Sequence, residues 1–340
     1  MAMSRRTFLG SLALTAGVGM MTQAENETMP NGKAMTVTGA VEPEALGVVL
    51  PHEHLLVDFI GAAETSPDRY DPEVVFETVM PHLDHTRELG VDTLVECTPA
   101  YLARDPRLMA RLSEASRIRI LTNTGYYGAM DGHFLPPHAY DEDADALAAR
   151  WAREWEDGID DTGIRPGFIK TAVNNGPLSD MDRKLIQAAA RTHHATGLPI
   201  ASHTTDATAI RGTMAVLREE EVADGAFIWV HAHTVDDTDL HVEAVENGLW
   251  VEFDGLSPES LDLHVRLTRA MDERGLLDHV LISHDAGWYS VGEDGGGDFR
   301  RFDTLFNDFI PALHAVGFDE AQTRRLIRAN PQQAFRIHSI

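Results

Sequence analysis

Short apolar runs rich in β-forming residues recur along this chain, with room for one helix between neighbours. They are Val48-Val49-Leu50, Thr93-Leu94-Val95, Ile118-Arg119-Ile120-Leu121, Phe168-Ile169, Ile200-Ala201, Phe227-Ile228-Trp229-Val230, Trp250-Val251-Glu252-Phe253 and Val280-Leu281-Ile282. Most are followed by apolar residues at helical spacing, as in 74–89, 178–196, 240–247 and 261–274. Buried strands alternating with helices predict a parallel sheet, because parallel neighbours need a crossover and a helix supplies it. Eight such units in a 340-residue chain predict a closed (β/α)8 barrel, an α/β fold forming a single domain over residues 36–340. An open doubly wound sheet is the alternative. No Gly-x-Gly-x-x-Gly follows the first run, so a dinucleotide site has no support.

The residues before the barrel read differently. Arg5-Arg6 precedes an apolar stretch from Phe8 to Met21, and Thr22-Gln23-Ala24 offers a small-residue cleavage site. Residues 1–24 therefore read as a twin-arginine signal peptide, too short in its apolar part to span a bilayer. Residues 25–35, polar and containing Pro30, Asn31 and Gly32, read as a linker. No cysteine follows the apolar stretch closely, so no lipid anchor is expected and the mature protein is expected in the periplasm or secreted. The chain carries 54 acidic against 28 basic side chains, a net charge of −26. That balance argues against a nucleic-acid partner or docking on anionic lipid, both of which need a basic face. A small-molecule substrate is the expected partner, with a homodimer as a possible assembly. The single cysteine, Cys97, closes an apolar run and reads as a small buried hydrophobe.

The polar residues that close the strands carry the chemistry. Strand one ends in Pro51-His52-Glu53-His54, where residues two apart share a face, so both histidines can enter the barrel mouth while Glu53 faces away. A His-x-His pair alone is weak in a chain with 17 histidines, and His231 with His233 makes a second. Position sharpens the signal: strand four ends in Lys170, strand five in His203, strand six in His231 and strand eight in Asp285. Barrel active sites are built at those ends. Lys170 is one of only three lysines and follows the apolar pair Phe168-Ile169, an unlikely place for a solvating charge. Imidazoles and carboxylates suit Zn²⁺, Mn²⁺ or Co²⁺. An ammonium has no lone pair to offer. Lys170 could be a ligand only if modified, for example to a carbamate whose two oxygens could bridge two ions.

With these residues in order, the sequence resembles the phosphotriesterase family of the amidohydrolase superfamily from about Thr36 to Phe335. The likeness rests on Gly47-Val48-Val49-Leu50-Pro51-His52-Glu53-His54, Gly167-Phe168-Ile169-Lys170, Ser202-His203-Thr204, His231 with Asp254, Ser283-His284-Asp285 and Asn330-Pro331. It implies two divalent ions per chain, zinc before manganese or cobalt. His52, His54 and Asp285 would hold the more buried ion, His203 and His231 the other, and carbamylated Lys170 would bridge them. The resemblance also implies attack by water activated between the ions, with Asp285 as the catalytic proton acceptor. His233 faces the same way as His231; the spacing to Gly248 and Asp254 favours His231 as ligand and leaves His233 near the substrate. Tyr127, Asp254 and Trp288 are the other candidate substrate contacts.

One departure stands out. Gly255 follows Asp254, where the lactonase branch tends to carry an arginine and the phosphotriesterase branch a histidine. The expected activity is hydrolysis of a carboxylic ester or lactone, with phosphotriesters as promiscuous substrates. An amidase acting on an acylated amine and a non-catalytic binding barrel are the alternatives.

Overall fold

The computed structural model describes residues 31–340. The signal read in residues 1–24, and most of the linker, lie outside the described residues. Residues 34 and 35, read as the end of the linker, belong instead to a strand, Ala34–Thr36, paired antiparallel with Gly39–Val41. Their small and apolar side chains are buried, which the polar residues around them conceal in the sequence.

Eight strands form the barrel: β1 Val49–Val57, β2 Thr93–Glu96, β3 Arg119–Leu121 continued as Asn123–Thr124, β4 Phe168–Ala172, β5 Ile200–His203, β6 Phe227–Val230, β7 Leu249–Phe253 and β8 Val280–Ile282. Sequential neighbours pair in parallel from β1 to β8. The circle closes just beyond β8, where Asp285 N–H donates to His52 O at 3.1 Å and His54 N–H donates to Ala286 O at 2.9 Å. The sheet is therefore closed and not doubly wound.

Helices α1 Pro72–Glu88, α2 Pro106–Ser116, α3 Ala144–Asp157, α4 Asp180–Thr196, α5 Ala207–Glu219, α6 Thr238–Glu246 and α7 Leu261–Glu273 pack outside. Asp71, Asp105, Asp143, Ser179, Asp206 and Asp237 cap α1 to α6, each accepting a first-turn N–H. A cap of this kind is worth about 1 kcal/mol. Five of the six are aspartates, so part of the acid excess serves helix starts.

Two apolar layers follow from strand alternation. Leu94, Ile120, Ile169, Ile200 and Trp229 face the helices. Val49, Val95, Leu121, Phe168, Ala201, Ile228 and Leu281 fill the barrel, joined by Leu46 and Phe335. Burying each such aliphatic or aromatic side chain contributes roughly 1.5–3 kcal/mol. Alternation then carries Lys170, two after Phe168, and His203, two after Ala201, into the interior above that plug. In β1 the register with β2 shifts between Leu50 and Glu53. Pro51, with no N–H to give, sits at the shift, which moves the inward set from Val49 to His52 and His54.

Beyond β8, Gly287–Ser290 lies parallel to β1, with Gly287 opposite His54. At the other end of the fold the described chain meets itself. Gly32 N–H donates to Ile337 O at 2.9 Å, and Ile337 N–H donates to Lys33 O at 2.7 Å.

Candidate metal centre

The barrel strands and the turns that follow them bring His52, His54, Lys170, His203, His231 and Asp285 to one cavity; β1 runs on past His54 to Val57 and β4 past Lys170 to Ala172. Cys97, Thr98 and Tyr127 line the cavity too, as do Val57, Phe59, Leu102, Met130, Phe134 and Trp288. His54 Nε2 lies 3.1 Å from Asp285 Oδ1, and His52 Nε2 lies 3.7 Å from the same oxygen. Ligands about 2.0–2.1 Å from a tetrahedral ion are about 3.3 Å apart, so this trio fits one ion. Lys170 Nζ is 3.4 Å from His52 Nε2. The rings of His203 and His231 are 4.4 Å apart, and that of His52 is 5.1 Å from His231.

The opposite ring nitrogens decide which lone pairs point inward. His231 Nδ1 lies 2.5 Å from Asp254 Oδ1. His52 Nδ1 lies 2.9 Å from Asp254 Oδ2 and 3.4 Å from Glu252 Oε2. Both face carboxylates, so both carry their proton on Nδ1 and leave Nε2 as a lone pair. His54 is held by a longer relay: its Nδ1 is 2.8 Å from Thr98 Oγ1, whose own proton goes to Glu96 Oε1 at 2.6 Å. Thr98 must then accept from His54, and Nε2 is again free. Fixing the outer nitrogen of a ligand histidine in this way orients it for an ion. His52, His231 and Asp254 also cluster closely enough to hold an ion. Their nearest atoms are the hydrogen-bonded Nδ1 and carboxylate pairs, however, too close together to admit one between them.

Burial, then the Lys170 charge, lowers the pKa of His52 to about 3, which keeps its imidazole neutral. Burial, then the neighbouring His231, holds His203 well below its ordinary value. Burial pushes the carboxyl of Asp285 up, but its neighbours His54, His52 and His231 outweigh it and leave the group depressed. Asp254 is depressed by the same contest, against His231 and His52. Glu96 goes the other way, to about 7, because burial exceeds the help of its hydrogen bonds. Burial keeps the thiol of Cys97 protonated.

Two expected substrate contacts lie elsewhere. Asp254 is fully buried beneath His52 and His231, and neither it nor His233 lines the cavity. His233 Nδ1 is 3.2 Å from Asp254 Oδ1, and a Cβ on Gly255 would come within 2.8 Å of His233 Nε2. His233 therefore fills the space that a side chain at position 255 would take. Tyr127 and Trp288 do reach the cavity. Tyr127 Oη is 3.1 Å from His203 Nδ1, and burial, then the Asp285 charge, keeps its phenol protonated. The Trp288 ring lies 4.8 Å from His54 and stacks on Phe59 at 5.4 Å.

His231, Asp285 and Trp288 all have φ in the left-handed region, at 64°, 49° and 79°. Each costs of order 1–3 kcal/mol, a strain typical of functional sites. Sequence reasoning missed Glu96, Thr98 and the walls at Phe59, Met130 and Phe134. Glu96 carried a signal, since it is an acid closing an apolar run just as Lys170 is a base closing one.

The phosphotriesterase family matches residues 32–335 of the chain. A phosphotriesterase homology protein of Escherichia coli (strain K12) is 29% identical over 293 residues, covering 85% of this chain and 98% of its own. An N-acetyltaurine hydrolase of Rattus norvegicus is 24% identical over 347 residues, covering 89% and 97%. The crystal structure of a mutant phosphotriesterase-like lactonase from Deinococcus radiodurans matches with a TM-score of 0.79 at 26% identity, covering 89% of this chain and 99% of its own.

Proposed function

Since the chain belongs to the phosphotriesterase family, we propose that this metal-dependent hydrolase cleaves an uncharged carboxylic ester or lactone. The observation that carries the reading is the wall of the cavity. Val57, Phe59, Leu102, Met130, Phe134 and Trp288 are all uncharged, and Lys170 is the one cation among the lining residues. An anionic group remote from the bond cleaved, such as the sulfonate of an acyl taurine, would lie against this wall with no cationic side chain to pair with. A neutral ester or lactone would exchange water for apolar contact.

His52, His54 and Asp285 would hold one ion, and His203 and His231 the other. Lys170, as a carbamate, would supply the remaining ligand oxygens from beside His52. Two divalent ions, zinc first among them, would supply the Lewis acidity that activates water and polarises a carbonyl. The chain does the rest. Asp254 and the Thr98–Glu96 relay keep the imidazole lone pairs aimed inward. Asp285 takes the proton of the attacking water on its carboxylate. Tyr127 offers its hydroxyl to the substrate from beside His203, and Phe59 and Trp288 exclude bulk water. Export through Arg5-Arg6, after folding and metal loading, is part of the same proposal.

Elemental analysis and a turnover panel of lactones, aryl esters, phosphotriesters and acyl-amines test it. We expect about two divalent ions per chain and fastest turnover on lactones or aryl esters. Faster cleavage of acyl-amines would make the enzyme an amidase. A fully loaded protein that turns over nothing in the panel would make it a binding barrel.

A further inference from the structure

We propose that Glu53 is a positioning residue whose carboxylate clamps the 283–286 turn and so presents Asp285 to the ion held by His52 and His54. The proposal rests on the metal reading above, but concerns a residue that reading does not use.

Glu53 points away from the cavity, yet it is completely buried. Four groups surround it and all of them donate. Oε1 accepts from Ser283 Oγ at 2.8 Å, His284 N at 3.1 Å and His284 Nδ1 at 2.6 Å, and Oε2 accepts from Ala286 N at 2.9 Å. The imidazole of His284 is committed to this role, because its Nε2 accepts from Leu305 N–H at 3.1 Å.

These bonds fall where the barrel closes. Between β1 and the turn after β8, the backbone supplies only the two bonds from Asp285 N–H and His54 N–H. Three further amides go to side chains: His52 N–H to Ser283 Oγ at 3.0 Å, and the N–H groups of His284 and Ala286 to Glu53. A ladder would hold every residue in an extended conformation. Glu53 replaces it with a cradle that fits a turn, and Asp285 sits in that turn with φ at 49°. Glu53 grips the N–H groups of the residues before and after Asp285, and the backbone bond from Asp285 N–H to His52 O holds the peptide between them, so the turn that aims the carboxylate is held from β1 alone. The Glu53 side chain grows from between the two histidines that share the ion. Three ligands from opposite sides of the seam are thereby set in one frame before any ion arrives.

Glu53→Gln is the direct test. One face of the amide must present N–H groups to N–H groups, whichever way it turns. In chelator-treated protein, we expect amide exchange at His284 and Ala286 to speed at least about tenfold. Competition with a chromophoric chelator, using Zn²⁺ as probe, should show one of the two ions bound ten- to a hundredfold more weakly, with the other little changed. A merely structural role would instead weaken both ions together, in step with the melting temperature. Should Glu53→Gln fail to fold, Ser283→Ala removes one donor to Glu53 and the acceptor of His52 N–H. It should show a smaller loss at the same single ion.

Wild-type affinity for both ions in the foldable variant, or equal loss of both, overturns the proposal alone. A wild-type protein that takes up no divalent ion overturns the metal reading and this proposal with it.

Discussion

The two oxygens of Asp254 take the outer protons of His52 and His231, the histidines proposed for different ions. One carboxylate therefore sets the tautomer of a histidine in each half of the centre. Asp254→Asn keeps the shape but faces one imidazole with an amide N–H. We expect both ions to bind ten- to a hundredfold more weakly, read by chelator competition. Lys170→Ala should lose metal and turnover together while circular dichroism stays unchanged, and short carboxylic acids should restore part of the rate by occupying the bridging position. Full metal content and near-normal turnover in that variant would remove Lys170 as the bridge. At this scale the sequence was informative where a residue looked misplaced. A rare lysine after an apolar pair, and histidines two apart at a strand end, are signals of that kind. It was silent where the backbone leaves its regular path. Nothing in Val230-His231 announces the left-handed turn that swings His231 to the cavity directly after an inward-facing valine. Asp254 misled for a related reason: strand parity places it inside the barrel, but depth along the axis, which separates a substrate contact from a support beneath the ligands, has no sequence pattern.

The barrel strands, and the four helical stretches given bounds, were legible within a few residues, because each strand is a buried run and each of those helices repeats apolar residues at helical spacing. The short strand Gly287–Ser290 was not. It pairs with β1 because Gly287, at φ 93°, lets the chain lie against His54. A Cβ there would come within 1.9 Å of His54 O. Trp288 depends on this strand: its Nε1–H donates to Asp285 O at 3.0 Å, and its ring covers His54. Gly287→Ala should therefore cost about 2 kcal/mol of stability and lower turnover through displacement of Trp288. Thermal melting and steady-state kinetics on the same preparation check both. Unchanged kinetics in a destabilised variant would show that Trp288 is only a wall.

For the whole molecule, the side of the barrel is pinned by Arg104, which reaches Glu154 through both of its terminal nitrogens at 2.7 and 2.8 Å. Burial pushes the Glu154 carboxyl up, but the Arg104 charge and hydrogen bonds outweigh it and leave it below its ordinary value. A depressed carboxyl contributes stability that is complete above the unfolded value, about 4.3, and is lost as pH falls through the folded value. Denaturant titrations should show this loss below about pH 4 in the wild type. Glu154→Gln should lack that part of the acid slope and be about 3 kcal/mol less stable at pH 7, because Arg104 is left buried without its partner. Replacing Arg5 and Arg6 by lysine should retain the protein in the cytoplasm; undiminished export on fractionation would refute the twin-arginine reading.

The hydrogen-bonded meeting of Lys33 with Ile337 has a further consequence. The described chain is nearly a ring, so its connectivity and its architecture can be separated. A circular permutant joined at that meeting point and reopened between α5 and β6 would keep every barrel neighbour, while β8 would precede β1 within one continuous segment. The closure on which the ligands depend would change from the most distant contact along the chain to a local one. The order in which the barrel assembles would then change without altering a single side chain of the site.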